Sequence, residues 1–561
     1  MRPAFGGKPA RAVADVDGDV CARPWNITGN IVKVRAFPRQ GRAAITPFSA
    51  RRPLRPQASR HGRTVTTGIA TFALTLLGTW AGSAVLDGLV RPRGIRRVRG
   101  LWLLACMAGA LHGLFLMLCG NAVVAMALAL AVQALLVLAS NAKHAMLGEP
   151  LLFSDLALVG AVFRHPQFYL SAVRLWQRVA AALVAAVLLG VVGWLSRADP
   201  EAHLTGLLLL AAALAALALS LPRSPRSTVA RVPEVEADTG RLGLLPAVLL
   251  YWRRWRAQPD PAPCPQPHRR SPTDAAELVV VIQCESFADP TELFGDPALV
   301  LPGLRAARAH AMQWGNLNVS GFGAYTMRTE YGVLFGRDEA ALGFRLYDPF
   351  LTASAEGTYA LPSRLPGWRA LFVHPHDMRF YGRDAIMPAG GFAELVGEDH
   401  FAPPGPGEGR YVTDAAMTEV ILARAKAATQ PSLIYAVTIE NHGPWAPDAR
   451  GGGSPDLVAG YMRLVRCGDA MLEALTAGLA ALGRPALLVF FGDHRPSIPG
   501  ASVPGGPRHT PYVMVRMDAQ GQVMPGDNRR IDLSPAQLHH AVLDTVLGPV
   551  ASPEVSPSRE A

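Results

Sequence analysis

Five long apolar runs in the first 221 residues constrain what this chain can fold into more than any other feature. They fall near residues 64–90, 101–119, 121–140, 178–196 and 203–221, and about 20 helical residues are enough to cross the hydrocarbon core of a bilayer. The run LLLLAAALAALALSL carries no charge at all, so as a soluble helix it would have no wet face. A hydrophobic fraction of 50% and a mean hydropathy of +0.20 point the same way. We read residues 64–221 as a transmembrane domain of about five spans. The net charge of +11 does not indicate nucleic-acid binding, because the arginines are scattered through tail, loops and linker rather than gathered on one helix or in a binding motif. The six cysteines form no spaced framework, so neither a disulfide scaffold nor a zinc site is expected.

Outside these runs the composition changes several times. Residues 1–63 are rich in Arg, Pro and Gly without a sustained period and read as a disordered basic tail. Between the third and fourth runs, HAMLGEPLLFSDLALVGAVF is amphipathic and is expected at the interface or against the bundle. Residues 222–276 hold GRLGLLPAVLLYWRRWR, read as one interfacial helix with Trp252 and Trp255 at headgroup level, and then a proline-rich spacer. An N-terminus inside and five crossings put the C-terminal half outside the cytoplasm, but the loop RPRGIRRVRG between the first two runs then lies outside too. Five arginines there oppose the positive-inside rule, so charge alone does not fix sidedness.

From Glu277 onwards short β-rich runs alternate with helical segments, which predicts an α/β domain with a mainly parallel central sheet over 277–550, followed by a disordered tail at 551–561. Four predicted strands end in residues able to ligate a metal or bind phosphate. LVVVIQ leads to Glu285, ALFV to His374, SLIYAVTI to Asn441 and His442, and ALLVFFG to Asp493 and His494. Ligands of open α/β sheets bind outside the carboxyl ends of the strands, so these residues converge although they lie far apart in sequence. Two carboxylates and an imidazole suit a hard or borderline divalent cation such as manganese, magnesium or zinc. SGFGAYTMRTEYGVLFG offers a nucleophile, Thr326, where a helix through Tyr331 to Leu334 begins. The helix dipole and a nearby cation both favour its alkoxide. Each motif also has a structural reading: Thr326 as a helix cap, Asp493 as a support for turn amides, His442 packed on Trp445, Glu285 in a salt bridge.

The ordered set VVVIQCES, GAYTMRTEYGVLFG, FVHPHDMRFYGRD with its following GGF, VTIENHGPW and FFGDHRP resembles the lipoteichoic acid synthase and phosphoglycerol transferase family of the alkaline phosphatase/sulfatase superfamily. The resemblance implies that Glu285, Thr326, Asp493 and His494 surround one divalent metal, manganese or magnesium, with Thr326 as the nucleophile. It implies that His374, Arg383 and His442 hold the phosphoglycerol group, and it places Tyr381 where a tryptophan stands in the lipoteichoic acid synthases proper. By the same analogy the donor is a phospholipid, phosphatidylglycerol, and the acceptor a cell-envelope glycan or polyglycerolphosphate chain. The enzyme would then be a multi-pass protein of the cell (inner) membrane with its catalytic domain on the periplasmic or extracellular side. A phosphoethanolamine transferase shares this fold and a threonine nucleophile, but such enzymes usually carry several disulfides in the soluble domain. A true sulfatase would need a Cys or Ser in a C/S-x-P-x-R context, which is missing here. A membrane scaffold that has lost catalysis is the rival of a different class.

Overall fold

The computed structural model describes residues 58–156, 175–221, 230–267, 269, 275–405, 409–445 and 456–550. Residues 1–57 of the expected tail at 1–63, the tail at 551–561 and part of the proline-rich spacer lie outside the described residues, whereas 58–63 open the first helix. Each apolar run carries a helix: α1 (Ala58–Gly88), α2 (Val98–Cys119), α3 (Ala122–Leu147), α4 (Leu175–Leu195) and α5 (Pro200–Ser220). Four of them, α1, α2, α3 and α5, are long and apolar enough to cross a membrane, and α4 adds a shorter apolar stretch over Ala182–Leu195. Local chemistry sets the turns. Gly120 closes α2 in the left-handed region, and Asn121 caps α3 by accepting from the amides of Val123 and Val124. Asp199 caps α5 ahead of Pro200.

Hydrogen bonds tie the two ends of the bundle separately. At one end the Arg197 amide donates to the Cys119 carbonyl at 2.9 Å and Asn121 Nδ2 to the Leu195 carbonyl at 3.0 Å. At the other, the arginine loop 91–97 meets α3 through Asn141 Oδ1, which accepts from the Arg91 amide at 2.8 Å. The same loop meets the short helix α6 (Val235–Leu242) through the Arg97 amide, 2.8 Å from the Arg241 carbonyl.

One sequence expectation is corrected here. The single interfacial helix is broken at Gly243 (φ +91) into α6 and α7 (Leu244–Ala257). Trp252 is exposed, but Trp255 stacks on Phe153 at 5.4 Å and donates from Nε1 to the Thr352 carbonyl at 3.1 Å. Trp255 therefore packs on protein, where its ring finds an apolar partner and its N–H an acceptor. The described part of the amphipathic segment after the third run packs on protein. Residues His144–Leu147 extend α3, and Leu152 and Phe153 are buried with Tyr251, Phe344 and Tyr347. The rest of that segment, from residue 157, lies outside the described residues.

The C-terminal half is built on an eight-stranded sheet: β1 (Leu278–Cys284), β2 (Gln313–Leu317), β3 (Arg369–Val373), β4 (Glu394–Val396), β5 (Ser432–Val437), β6 (Ala486–Gly492), β7 (Thr510–Met517) and β8 (Arg529–Arg530). The spatial order is β4-β3-β5-β1-β6-β7-β2-β8. The first five strands run parallel; β7 pairs antiparallel with both β6 and β2. Helices cover both faces: α8 (Pro302–His310), α9 (Thr326–Phe335), α10 (Arg383–Ala389), α11 (Asp414–Ala427), α12 (Leu457–Ala480) and α13 (Pro535–Leu547). Val279 and Val281 pack with Tyr331, Leu334 and Leu538 on one face, Val280 and Ile282 with Met417, Ile421 and Leu472 on the other. Burial on both faces is why β1 reads as an unbroken apolar run without alternation. The fold is the expected one, a bundle of apolar helices followed by an α/β domain with a mostly parallel sheet.

Candidate active site

Neighbouring parallel strands β1 and β6 end in register, Cys284 opposite Gly492, so the residues that follow each strand leave the sheet side by side. These are Glu285 and the pair Asp493–His494. Chain direction reverses sharply after Glu285, where Ser286 takes φ +51, a conformation that a non-glycine residue adopts only when its surroundings hold it. Asp493 does so: its Oδ1 accepts from the Ser286 amide and the His494 amide, both at 2.8 Å. Gly492 is required here by space. A Cβ on it would lie 1.9 Å from the Phe287 carbonyl oxygen.

One oxygen of Asp493 thus supports backbone amides, as the structural reading of GDHRP supposed. The other, Oδ2, is buried without a hydrogen-bond partner, a costly state for a carboxylate oxygen. It lies 3.5 Å from His494 Nε2, and Glu285 Oε1 lies 3.6 Å from the same nitrogen. His494 Nδ1 donates to the Arg495 carbonyl at 3.2 Å, which leaves Nε2 facing the two carboxylates. One donor atom from each of Glu285, Asp493 and His494 lies within 4.8 Å of the others. Burial, and next the charge of Asp493, push the Glu285 carboxyl up to about 8. Two buried carboxylates beside an imidazole nitrogen, one oxygen orphaned, fit a single divalent cation.

Thr326 joins this cluster. Its Oγ1 is 3.4 Å from His494 Nε2, and it is the first residue of α9. The cap position belongs to Tyr325, whose backbone is left-handed (φ 78, ψ 30) and which makes no side-chain cap bond. Thr326 is therefore not the helix cap, and its hydroxyl points at the cluster beside the positive end of the helix. One turn on, Thr329 Oγ1 donates to the Asp493 carbonyl at 2.7 Å and pins α9 to the end of β6.

His374, Tyr381 and Arg383 form an adjoining group. His374 is the first residue after β3; its Nδ1 donates to the Val437 carbonyl at 2.9 Å. Burial, and then the charge of Arg383, hold its pKa well below the ordinary histidine value, so it is neutral. Arg383 opens α10 and is 1% exposed. Its Nε and Nη2 grip both carboxylate oxygens of Glu330 on α9, leaving Nη1 for anything else. Burial works against the Arg383 charge, but Glu330 more than offsets it. Tyr381, also left-handed at φ 60, lies 5.1 Å from the Arg383 guanidinium and stacks on Phe350.

His442 stands apart: it is exposed, hydrogen-bonded to the Gly443 carbonyl and edge-on to Tyr411 at 5.7 Å, not packed on Trp445. Trp445 instead donates to Asn441, whose side chain reaches the Ser286 carbonyl at 3.4 Å. Sequence reasoning missed Glu330 and Thr329, although a lone glutamate on a helix otherwise running YGVLF was a readable signal for a buried charge partner.

Comparison with known proteins adds the following. The Sulfatase family model matches residues 277–546. The capsular polysaccharide biosynthesis protein RkpI of Rhizobium meliloti (strain 1021) is 30% identical over 430 residues, which cover 72% of this chain and 79% of that protein. Among solved structures, the integral membrane lipooligosaccharide phosphoethanolamine transferase A (EptA) from Neisseria meningitidis superposes with a TM-score of 0.50 at 15% identity, over 85% of this chain and 95% of the other. At that identity the likeness is one of fold, and it takes in the helical bundle as well as the α/β domain.

Proposed function

This chain belongs to the sulfatase family of the alkaline phosphatase superfamily, and from that premise we propose that it is a membrane phosphotransferase that moves phosphoglycerol from phosphatidylglycerol to a cell-envelope glycan through a covalent phospho-threonine. The observation that carries the reading is the hydroxyl of Thr326, at the N-terminus of α9 and 3.4 Å from His494 in the carboxylate–imidazole cluster. Glu285, Asp493, His494 and Thr326 would hold one divalent cation, for which we propose manganese or magnesium. A cation there supplies Lewis-acid stabilisation of the attacking oxygen and of charge developing on phosphorus.

In the first step the Thr326 oxygen forms a bond to phosphorus, the bond from phosphorus to the diacylglycerol oxygen breaks, and that oxygen takes up a proton as diacylglycerol departs. Proton transfer would fall to His494 in the cluster or to His442, exposed in the loop after β5. In the second step an acceptor hydroxyl attacks the same phosphorus and Thr326 is released. Neutral His374 and the free edge of Arg383 face the group being moved, with Tyr381 shaping the pocket for its glycerol. The relative named for capsular polysaccharide biosynthesis supports a glycan as acceptor. The apolar helices support a membrane placement, and we propose the inner membrane with the catalytic domain on the periplasmic or extracellular side.

A second donor, phosphatidylethanolamine, is favoured by the likeness in fold to a phosphoethanolamine transferase over both parts of the chain. One experiment separates the two. Full-length protein in detergent is incubated with manganese and each lipid in turn, and its intact mass is measured beside that of Thr326→Ala. A phosphoglyceryl increment on wild type alone supports the proposal. An increment only from phosphatidylethanolamine transfers it to the second donor, and an adduct on Thr326→Ala removes the nucleophile.

A further inference from the structure

The end of α3 reaches into the catalytic domain. Gly148 (φ +75) turns the chain, and Glu149 follows with its carboxylate paired to Arg328, Oε1 to Nη1 at 2.6 Å and Oε2 to Nη2 at 2.8 Å. Both side chains are buried, 6% exposed each. Arg328 is the third residue of α9, the helix that Thr326 opens. Its guanidinium lies 3.9 Å over the ring of Tyr325, and its Nε reaches the Tyr347 carbonyl at 3.3 Å. Lys143 of α3 sits 5.5 Å from the same Tyr325 ring. The second loop of the site is held by the same segment: Ser497, three residues beyond His494, donates to the Met146 carbonyl at 2.9 Å. Gly323 joins the two loops through its amide, 2.8 Å from the Arg495 carbonyl.

A fork-to-fork pair fixes orientation as well as distance. Tyr325 holds a left-handed backbone that a tyrosine does not prefer, and two cations lie against its ring, Lys143, paired with Asp155, and Arg328, paired with Glu149. We propose that Glu149 is a positioning residue: by clamping Arg328 it sets the first turn of α9, and with it the Thr326 hydroxyl, from the membrane bundle, so that the nucleophile is oriented only while the catalytic domain is seated on the helices that hold the lipid donor. The inference rests on Thr326 as nucleophile. It goes beyond that reading in giving a residue of the bundle a part in the reaction.

The test compares full-length wild type, Glu149→Gln, Glu149→Asp and Arg328→Lys in detergent. Turnover is read with phosphatidylglycerol and with bis(p-nitrophenyl) phosphate, a soluble phosphodiester, alongside thermal unfolding and hydrogen exchange over residues 325–335. Glu149→Gln is expected to lower kcat on both substrates by on the order of 10- to 100-fold, the scale of a small misplacement of a reacting group, with KM for the lipid within about twofold. Exchange at 325–330 should rise while β1 and β6 keep their protection. Glu149→Asp keeps the charge, preserves the fold and should restore part of the rate. Wild-type kcat per folded molecule in Glu149→Gln, or a loss matched by the unfolded fraction, overturns the proposal. So does unchanged exchange over α9. Wild type inactive on every phosphodiester overturns the phosphotransferase reading and this inference with it, an outcome distinct from an active wild type with an equally active Glu149→Gln.

Discussion

Replacing Glu330 by Gln removes the charge that holds Arg383. Both side chains are almost wholly enclosed, Glu330 at 0% and Arg383 at 1% exposure, and the guanidinium makes two of its hydrogen bonds to that one carboxylate. Water cannot take over from Glu330 at such a depth, so the variant leaves a buried cation without its counter-charge. Breaking a buried pair from one side costs about 3–5 kcal/mol. Glutamine belongs at the lower end, because its amide oxygen still accepts one of the two hydrogen bonds. For a catalytic domain of this size each kcal/mol moves Tm by about 2–4 °C, so a loss near 3 kcal/mol gives a fall of roughly 6–12 °C. Scanning calorimetry on the full chain measures it, and Glu330→Gln combined with Arg383→Met should recover most of the loss, since an apolar side chain of similar length needs no partner. A fall below about 2 °C, or a double variant no more stable than the single one, would refute the argument that this pair is sealed from solvent. The same pair of variants bears on function. If Arg383 serves only as the partner of Glu330, the stable double variant keeps its activity; if its remaining Nη1 binds the transferred phosphate, activity is lost although stability returns.

Other outcomes follow from the site geometry. With the Glu285 carboxyl pushed up to about 8 by burial and then by Asp493, a cation must displace its proton at neutral pH; affinity for Mn2+ should climb as pH rises and level off above about 8. Calorimetry in two buffers of different ionisation enthalpy reads the released proton, and pH-independent affinity would count against the assignment. Chelation should lower Tm and Mn2+ restore it, by about 2.7 kcal/mol of stability at 100 times the Kd. Gly492→Ala forces a Cβ to within 1.9 Å of the Phe287 carbonyl oxygen, so the turn after β1 has to move. A loss of about 1–3 kcal/mol together with weaker Mn2+ binding is expected, and wild-type values for both in a thermal scan with and without Mn2+ would show that the turn yields freely.

Much of this molecule was legible in the sequence because two strong signals act over short stretches. An uncharged run of leucine and alanine admits few folded states other than a membrane helix, and a fully buried parallel strand such as LVVVIQC announces itself by lack of alternation. The convergence of Glu285 with Asp493 and His494 followed from one rule about strand ends. Less legible were groups whose role depends on a partner distant in sequence. Arg383 read toward phosphate alone, and its buried pairing with Glu330, 53 positions away, was not legible. Trp255 read as an interfacial anchor because Phe153 and Thr352 come from other segments. Thr326 taken alone read more readily as a cap than as a nucleophile, since only the backbone of Tyr325 shows which residue opens the helix.

The arginine loop illustrates how structure changes the meaning of a charge count. Residues 91–97 and the catalytic domain lie at the same end of the bundle, because the loop bonds to Asn141 near the end of α3, and α3 continues into Glu149 and its pair with Arg328. Whatever side the catalytic domain occupies, the loop occupies as well. Its arginines are not all free positive charges, however. Arg96 is paired with buried Asp87 and also donates to the Gly240 carbonyl, while Arg99, just beyond the loop, donates to the Ser220 carbonyl. An arginine already engaged by protein when the bundle is complete differs from one left to solvent or lipid headgroups, and the positive-inside rule counts both alike. The conflict between charge bias and five crossings is thereby reduced: part of the basic residues of RPRGIRRVRG is structural, spent on fastening the first loop to the α5–α6 region beneath the catalytic domain.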